Sequence, residues 1–121
     1  MNVRVFIYMC VVALLVSLAG FSFANPNNTA LLLQIKGAIG PAAQDYIERG
    51  IATAKEKNLS LIILQLNTPG GLEKSMRNIV SDILDSPIPV VVYVAPSGAR
   101  AASAGTFILY ASHVAAMAPG T

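Results

Sequence analysis

A serine lies within a stretch of small residues, "GARAASAGTF", at positions 98–107. If a helix begins there, Ser103 lies in its first turn, where the positive end of the helix dipole favours developing negative charge. The next residue, Ala104, then offers a backbone N–H that can stabilise an oxyanion, and the small neighbours allow a substrate backbone to approach. These features are typical of a serine nucleophile. The alternative is that the small residues of this stretch only pack a helix against a sheet.

A second loop of special composition, "NTPGG", occupies residues 67–71. Gly70 and Gly71 can adopt backbone conformations closed to other residues, and they leave N–H groups uncovered ahead of a predicted helix. Such N–H groups can bind an anion or a developing oxyanion. The loop lacks the glycine spacing of the phosphate-binding and dinucleotide-binding motifs, so no nucleotide cofactor is predicted. The alternative here is an ordinary strand-to-helix turn.

A nucleophilic serine also needs a general base, and the sequence offers no clear one. His113 is the only histidine, but ten residues of helix would separate it from Ser103 by roughly 15 Å, far beyond hydrogen-bond reach. We expect it at the end of the helix, where a cationic imidazole is favourable. One histidine, scattered carboxylates and no cysteine beyond Cys10 predict no metal site. Lysines are rarely buried, so we expect the chain's lysines to be solvated: Lys36, Lys55, Lys57 and Lys74.

The hydrophobic pattern predicts the elements that must position these loops. Nearly continuous aliphatic runs predict buried strands, and amphipathic stretches between them predict helices. The resulting order is β-α-β-α-β-α-β, an α/β fold with a parallel sheet and helices on both faces. The two loops follow the second and third strands, so we expect them side by side at the carboxyl edge, where open parallel sheets hold their sites. The predicted strands are 30–37, 59–67, 87–95 and 113–119, and the predicted helices are 40–58, 72–86 and 102–112.

Residues 1–24 are predicted to be an export signal peptide. Arg4 is the only side-chain charge at their start, a long apolar run follows, and the sequence Ser-Phe-Ala before residue 25 fits a cleavage site. The uncharged run is also long enough for an uncleaved membrane anchor. Residues 25–29 are predicted to be a linker, and residues 30–121 a single domain. A formal net charge of +2 without blocks of like charge argues against nucleic acid as a partner.

The motifs "LIILQLNTPGG" and "PIPVVVYVAPSGARAASAGTFILYASHVAAMAPGT", in this order, resemble the protease domain of the NfeD family. These are membrane-bound serine proteases of the ClpP and signal-peptide-peptidase class, and the resemblance covers residues 29–121. It implies an α/β fold, a ClpP/crotonase-like spiral of ββα units. It also implies a Ser–Lys dyad with Ser103 as nucleophile. By the same resemblance, Gly71 and Ala104 are oxyanion-hole donors and Gly70 shapes their loop, with no metal and no cofactor.

The resemblance further implies the setting in which such a domain acts. The expected substrates are apolar peptide segments of stomatin-like membrane proteins. The protein is expected to be a homodimer that is membrane-associated and periplasmic or otherwise extracytoplasmic. The family's general-base lysine comes a few tens of residues after the serine, and this chain ends before that point. We therefore expect an incomplete N-terminal part of the domain, truncated before its base, with little or no activity by itself.

Two further interpretations stand beside the protease. The chain can be an exported, non-catalytic binding or assembly module that keeps the ClpP-like fold and presents an apolar groove. In the related crotonase chemistry, the same oxyanion geometry holds a thioester enolate. The predicted leader argues against that chemistry, because the leader indicates export whereas coenzyme A reactions are cytoplasmic.

Overall fold

Three helices alternate with four parallel strands in a computed structural model that describes residues 7–8 and 28–121. Most of the predicted leader and linker lies outside these described residues. Within the described part of the chain, no helix has the length and apolar character needed to cross a membrane. The order of elements confirms the predicted α/β alternation. The strands are β1 Ala30–Lys36, β2 Leu61–Asn67, β3 Val90–Val94 and β4 Val114–Met117, and the helices are α1 Pro41–Glu56, α2 Glu73–Leu84 and α3 Ala104–Ala111.

The sheet is ordered β1-β2-β3-β4, and each neighbouring pair is parallel. Right-handed crossovers that always step in the same direction place their helices on one face of the sheet. All three helices share one hydrophobic core with that face, whereas Leu32 and Tyr93 on the other face are 54% and 36% exposed. The prediction of helices on both faces is therefore wrong. It rested on the aliphatic run of β2, which is fully buried only at alternate residues, namely Ile62, Leu64 and Leu66.

Helical spacing explains which side chains fill the core. Ile47 and Ala54 are separated by two helical turns on α1, and Ile79 and Ile83 by one turn on α2, so each pair faces the sheet. Ile108 is fully buried on α3. Burial of each isoleucine contributes roughly 1.5–3 kcal/mol relative to exposure. These contacts fix the three helices on the sheet, and with them the loops that lead into α2 and α3.

The strand register brings the carboxyl ends of the first three strands to one level. Lys36 at the end of β1 pairs with Asn67 at the end of β2, and Leu66 pairs with Val94 at the end of β3. The segments that follow these strands therefore start as neighbours. The loop after β2 lies between the other two because β2 lies between β1 and β3.

Candidate active site

The two loops expected to carry chemistry lie side by side at the carboxyl edge of the sheet. Segment 68–71 continues the line of β2 and is hydrogen-bonded on both sides. On one side, Ile39 N–H donates to Gly70 O at 2.8 Å. On the other side, Thr68 N–H donates to Arg100 O at 2.7 Å. The "NTPGG" loop is therefore held in a short extension of the sheet, next to the segment that carries the serine.

Ser103 is the residue immediately before α3, and its backbone is strained. Its φ of 52° and ψ of −116° lie in a region that non-glycine residues rarely adopt, at a cost of about 1–3 kcal/mol. A strained serine on a strand-to-helix turn is how α/β-hydrolases expose their nucleophile. The Ser103 side chain is exposed, and its Oγ makes no hydrogen bond within the described part of the chain. The helix begins later than the predicted residue 102, so Ser103 precedes the first turn.

Two backbone amides beside Ser103, those of Gly71 and Ala104, have no acceptor among residues 28–121. Ala104 opens α3, and the leading amides of a helix have no partner inside it. The Gly70 carbonyl accepts Ile39 N–H, and in a trans peptide the following N–H points the opposite way. Gly71 N–H is thus directed away from Ile39, to the side where the serine segment runs. Both amides are suited to a developing oxyanion.

Small residues let the glycine loop approach the serine. Gly70 has a φ of +115°, and a Cβ at this position would lie 2.7 Å from Ser103 Cβ and 3.1 Å from its Oγ. A Cβ on Gly71 would overlap the carbonyl oxygen of Ile39. The structure therefore brings together the four residues expected at the site, namely Gly70, Gly71, Ser103 and Ala104. Neither glycine can carry a side chain without displacing its neighbours.

A groove of about 750 Å³ opens in front of Ser103 and runs between α2 and α3, both of which begin at this edge. Its walls are mainly apolar, and the aromatic residues Phe107 and Tyr110 are 58% and 83% exposed. Glu73 and Arg77 in the wall form an ion pair at 2.7 Å, so their charges compensate each other. An apolar groove that opens in front of an exposed serine hydroxyl is suited to an apolar peptide segment.

No side chain in the described ranges hydrogen-bonds to Ser103 Oγ. His113 N–H donates to Val90 O at 3.0 Å, and Val90 N–H donates to His113 Nδ1 at 3.1 Å. Because Val90 opens β3, His113 lies at the edge of the sheet opposite Ser103. His113 follows the end of α3 at Ala111, and its Nδ1 accepts this hydrogen bond from the neighbouring strand. The lysines are exposed, as expected: Lys36, Lys55, Lys57 and Lys74.

The carboxyl group of Asp82 lies between helices and outside the groove. Burial raises the pKa of Asp82, and the neighbouring Glu48 and Asp85 carboxylates raise it further. Because Glu48 belongs to α1, Asp82 faces α1, on the side of α2 that is away from the groove. The shift therefore reflects helix packing. No cluster of three or more metal-ligating side chains occurs among residues 7–8 and 28–121.

Thr68 and Gly105 lie inside the two loop motifs and belong to the site, although neither was predicted as a site residue. Thr68 is fully buried, and its Oγ1 accepts Gly70 N–H at 3.0 Å. Gly105 lies so close that a Cβ there would be 2.6 Å from Thr68 Cγ2. Thr106 Oγ1 donates to Ala101 O at 2.8 Å and fixes the start of α3. A threonine shortly before a glycine is a known turn signal, and it would have pointed to Thr68.

Residues 30–121 match the family model described as NfeD1b, N-terminal domain. The chain belongs to the NfeD1b N-terminal domain family. The match confirms the NfeD resemblance of the two loop motifs, and it extends over every strand and helix of the described fold.

Curated relatives of this NfeD1b domain are membrane proteins. Over 95 residues, the chain is 50% identical to membrane-bound protease PH1510 of Pyrococcus horikoshii. Over the same length it is 38% identical to membrane protein NfeD1b of Bacillus subtilis. Each match covers 78% of this chain, but 22% of the first protein and 21% of the second. The chain thus spans about a fifth of the length of the curated relatives it matches.

Solved structures show the same architecture. The 1510-N membrane-bound stomatin-specific protease, as a lysine-to-alanine variant in complex with a substrate peptide, matches with a TM-score of 0.76 and 49% identity. That match covers 78% of this chain and 43% of the solved one, and the source organism is Pyrococcus horikoshii. A ClpP1 variant from Listeria monocytogenes has a TM-score of 0.61 at 21% identity, over 67% of this chain and 46% of that one, which shows the fold alone. The relatives PH1510 and 1510-N are named as proteases, and the fold is ClpP-like.

Proposed function

We propose that this chain carries the nucleophile and the oxyanion site of a ClpP-like serine protease domain. The supporting observation is the strained Ser103 turn, whose exposed Oγ lies beside the free Gly71 and Ala104 amides at the mouth of the groove. Backbone strain at a non-glycine residue persists only where the surroundings enforce it, and it is concentrated at functional sites. Relatives that share this region are named as proteases, which supports the same assignment.

In the proposed reaction, Ser103 Oγ attacks the carbonyl carbon of a peptide bond, and its proton passes to a general base. The carbonyl oxygen becomes an oxyanion that accepts hydrogen bonds from Gly71 N–H and Ala104 N–H, while Gly70 shapes the loop. Loss of one such preorganised donor costs about 10²–10³ in rate. The C–N bond then breaks, the amine leaves with the proton held by the base, and water hydrolyses the acyl-serine.

The family resemblance implies a lysine as the general base. A lysine must be neutral to accept the serine proton, and desolvation by burial is what lowers its pKa. The lysines of this chain are exposed, and none hydrogen-bonds to Ser103. We therefore assign the base to a lysine outside this chain, and we expect the chain by itself to hydrolyse peptides very slowly or not at all.

The groove supports an apolar peptide as the substrate, because its walls are apolar and its one ion pair is internally compensated. The 1510-N relative is named as stomatin-specific, so we propose a stomatin-like membrane protein as the substrate here. Membrane association is supported by the names of both curated relatives. The remaining parts of the proposal, a homodimer located in the periplasm or another extracytoplasmic space, rest on the family resemblance alone.

A peptide boronic acid with apolar side chains tests the nucleophile without requiring turnover. Its trigonal boron accepts a lone pair of Ser103 Oγ as the hydroxyl proton leaves to water, and the resulting tetrahedral boronate resembles the transition state. Titrated into the 121-residue chain at neutral pH, where the free boronic acid stays trigonal, it should give a tetrahedral signal in boron NMR. Ser103→Ala should abolish the signal, and Ser97→Ala, at an exposed position of the same loop, should keep it. A tetrahedral signal that survives Ser103→Ala would overturn the proposal.

The same groove favours a second candidate function, a non-catalytic binding or assembly module of ClpP-like fold. Such a module would bind the parent peptide, which lacks the boronic acid, as tightly as the boronate. Ser103→Ala would then leave both affinities unchanged, whereas Phe107→Ser in the groove wall would weaken both. The ratio of the two affinities therefore separates the protease from the binding module.

A further inference from the structure

Thr68 is fully buried in the loop after β2, and the proposed reaction does not use its hydroxyl. That hydroxyl is bonded twice to one neighbour. Gly70 N–H donates to Thr68 Oγ1 at 3.0 Å, and Thr68 Oγ1 donates to Gly70 O at 3.2 Å. A single side chain thus holds both backbone groups of the residue that precedes the proposed oxyanion donor, Gly71.

These bonds fix the orientation of a peptide group that the reaction needs. The Gly70 carbonyl and the Gly71 N–H belong to one trans peptide plane and point in opposite directions. The carbonyl also accepts Ile39 N–H at 2.8 Å, so Gly71 N–H points to the opposite side. Because glycine precedes and follows this peptide, its own dihedral angles allow it to rotate, and hydrogen bonds must hold it. These bonds are the two from Thr68, the Ile39 bond, and the adjacent bond from Leu72 N–H to Ile39 O at 2.8 Å. A rotated peptide would direct its carbonyl oxygen at the oxyanion and repel it.

The rest of Thr68 connects the glycine loop to the segment of the nucleophile. Its N–H donates to Arg100 O at 2.7 Å, and its carbonyl accepts Ala102 N–H at 3.1 Å. Its Cγ2 packs against Gly105 in the first turn of α3. Thr68 therefore contacts both halves of the site, the donor loop through its hydroxyl and the nucleophile segment through its backbone and methyl group.

We infer, on the basis of the proposed function, that Thr68 is a positioning residue that holds the Gly71 N–H toward the oxyanion in front of Ser103. The hydroxyl performs this role, and the methyl group sets the approach of α3. Two substitutions separate the two groups. Thr68→Val keeps the shape and removes the hydroxyl, whereas Thr68→Ser keeps the hydroxyl and removes the methyl group.

The experiment measures two affinities of the 121-residue chain, one for the peptide boronate and one for the parent peptide. A contact that forms only in the tetrahedral state changes the affinity for the boronate and leaves the affinity for the parent peptide unchanged. Thr68→Val should weaken boronate binding about tenfold or more, which is part of the effect expected from loss of a whole oxyanion donor. It should change binding of the parent peptide less than about twofold. Thr68→Ser should bind the boronate nearly as the wild type does. In amide NMR spectra, the boronate-induced shift of Gly71 should disappear in Thr68→Val and persist in Thr68→Ser.

A purely structural role predicts another pattern, because both variants remove a buried group and would then lower both affinities in step with thermal stability. The inference is overturned if Thr68→Val binds the boronate as tightly as the wild type, or if Thr68→Ser loses as much affinity as Thr68→Val. If Thr68→Val does not fold, Thr68→Ala compared with Thr68→Ser isolates the hydroxyl, because both variants lack the methyl group. Failure of the proposed function is distinct, because then the wild type forms no adduct or Ser103→Ala retains it.

Discussion

Replacing Gly105 by alanine adds a methyl group that would lie 2.6 Å from Thr68 Cγ2, well inside van der Waals contact. The next atoms, Ala101 Cβ at 3.4 Å and Leu66 Cδ2 at 3.8 Å, leave ordinary contact distances. The clash is thus confined to the threonine methyl group. Overpacking of this kind costs about 1–3 kcal/mol, and in a domain of this size each kcal/mol lowers Tm by about 4–8 °C.

Thr68→Ser removes the methyl group that clashes, so it should rescue Gly105→Ala. By itself, Thr68→Ser loses one buried methyl group and costs about 1 kcal/mol. In the double variant, the new alanine methyl group takes the vacated volume, and the two changes should couple favourably by about 1–3 kcal/mol. The double variant should therefore be more stable than Gly105→Ala alone.

Urea and thermal unfolding of the wild type, the two single variants and the double variant measure this coupling. Gly40→Ala is the matched control, because a Cβ at Gly40 meets no atom within 4 Å. Combined with Thr68→Ser, it should give additive losses, since the two positions share no contact. Additive losses for Gly105→Ala and Thr68→Ser would refute the packing that we derive for the start of α3.

Gly71→Ala forces a methyl group into the backbone of Ile39, with which Gly71 forms a β-bridge. The overpacking and the lost hydrogen bonds should lower the free energy of unfolding in urea by about 2–4 kcal/mol. Gly40→Ala, at a helix N-cap, should lower the free energy of unfolding by no more than about 1 kcal/mol. Equal losses of stability for the two variants would contradict the close approach of Gly71 to Ile39. Because burial raises the pKa of Asp82, folding disfavours its charged form, and stability falls as pH rises through the ordinary Asp pKa of 3.8 and above. Asp82→Asn should therefore stabilise the chain at neutral pH by about 0.2–0.5 kcal/mol, and thermal melts should show that the gain vanishes below that pKa. An equal gain at both pH values would contradict the assigned cause. Phe107→Ser, in the groove, should weaken apolar-peptide binding about five- to tenfold in a fluorescence titration and change the unfolding free energy by less than about 0.5 kcal/mol. Leu32→Ser, at a similarly exposed position on the open sheet face, should leave that binding unchanged.

Local patterns were sufficient to predict the order of elements and the meeting of the two loops. Aliphatic runs identify the strands, and Gly70 and Ser103 meet because the carboxyl ends of neighbouring parallel strands share one edge. The start of α3 was predicted too early because the small residues before Ser103 have helical composition. In the fold, Ala102 N–H donates to Thr68 O, and this long-range bond keeps the segment extended up to the serine.

The features that sequence patterns missed depend on contacts between distant parts of the chain. The side taken by the helices follows from the strand order, which no local window of sequence contains. From the sequence, Thr68 is only one residue of a turn, and its contact with Gly105 through the methyl group is visible only in the structure. His113 was predicted only to end a helix, because no local pattern indicates that its imidazole accepts Val90 N–H from the neighbouring strand.

The central claim is that Ser103 Oγ and the amides of Gly71 and Ala104 form one site for a tetrahedral oxyanion. A crystal structure of the 121-residue chain with the peptide boronate bound tests this most directly. We predict a bond from boron to Ser103 Oγ and a boronate oxygen about 2.7–3.1 Å from both amide nitrogens. Boron bonded to another side chain, or a boronate oxygen directed to solvent and away from both amides, would contradict the claim.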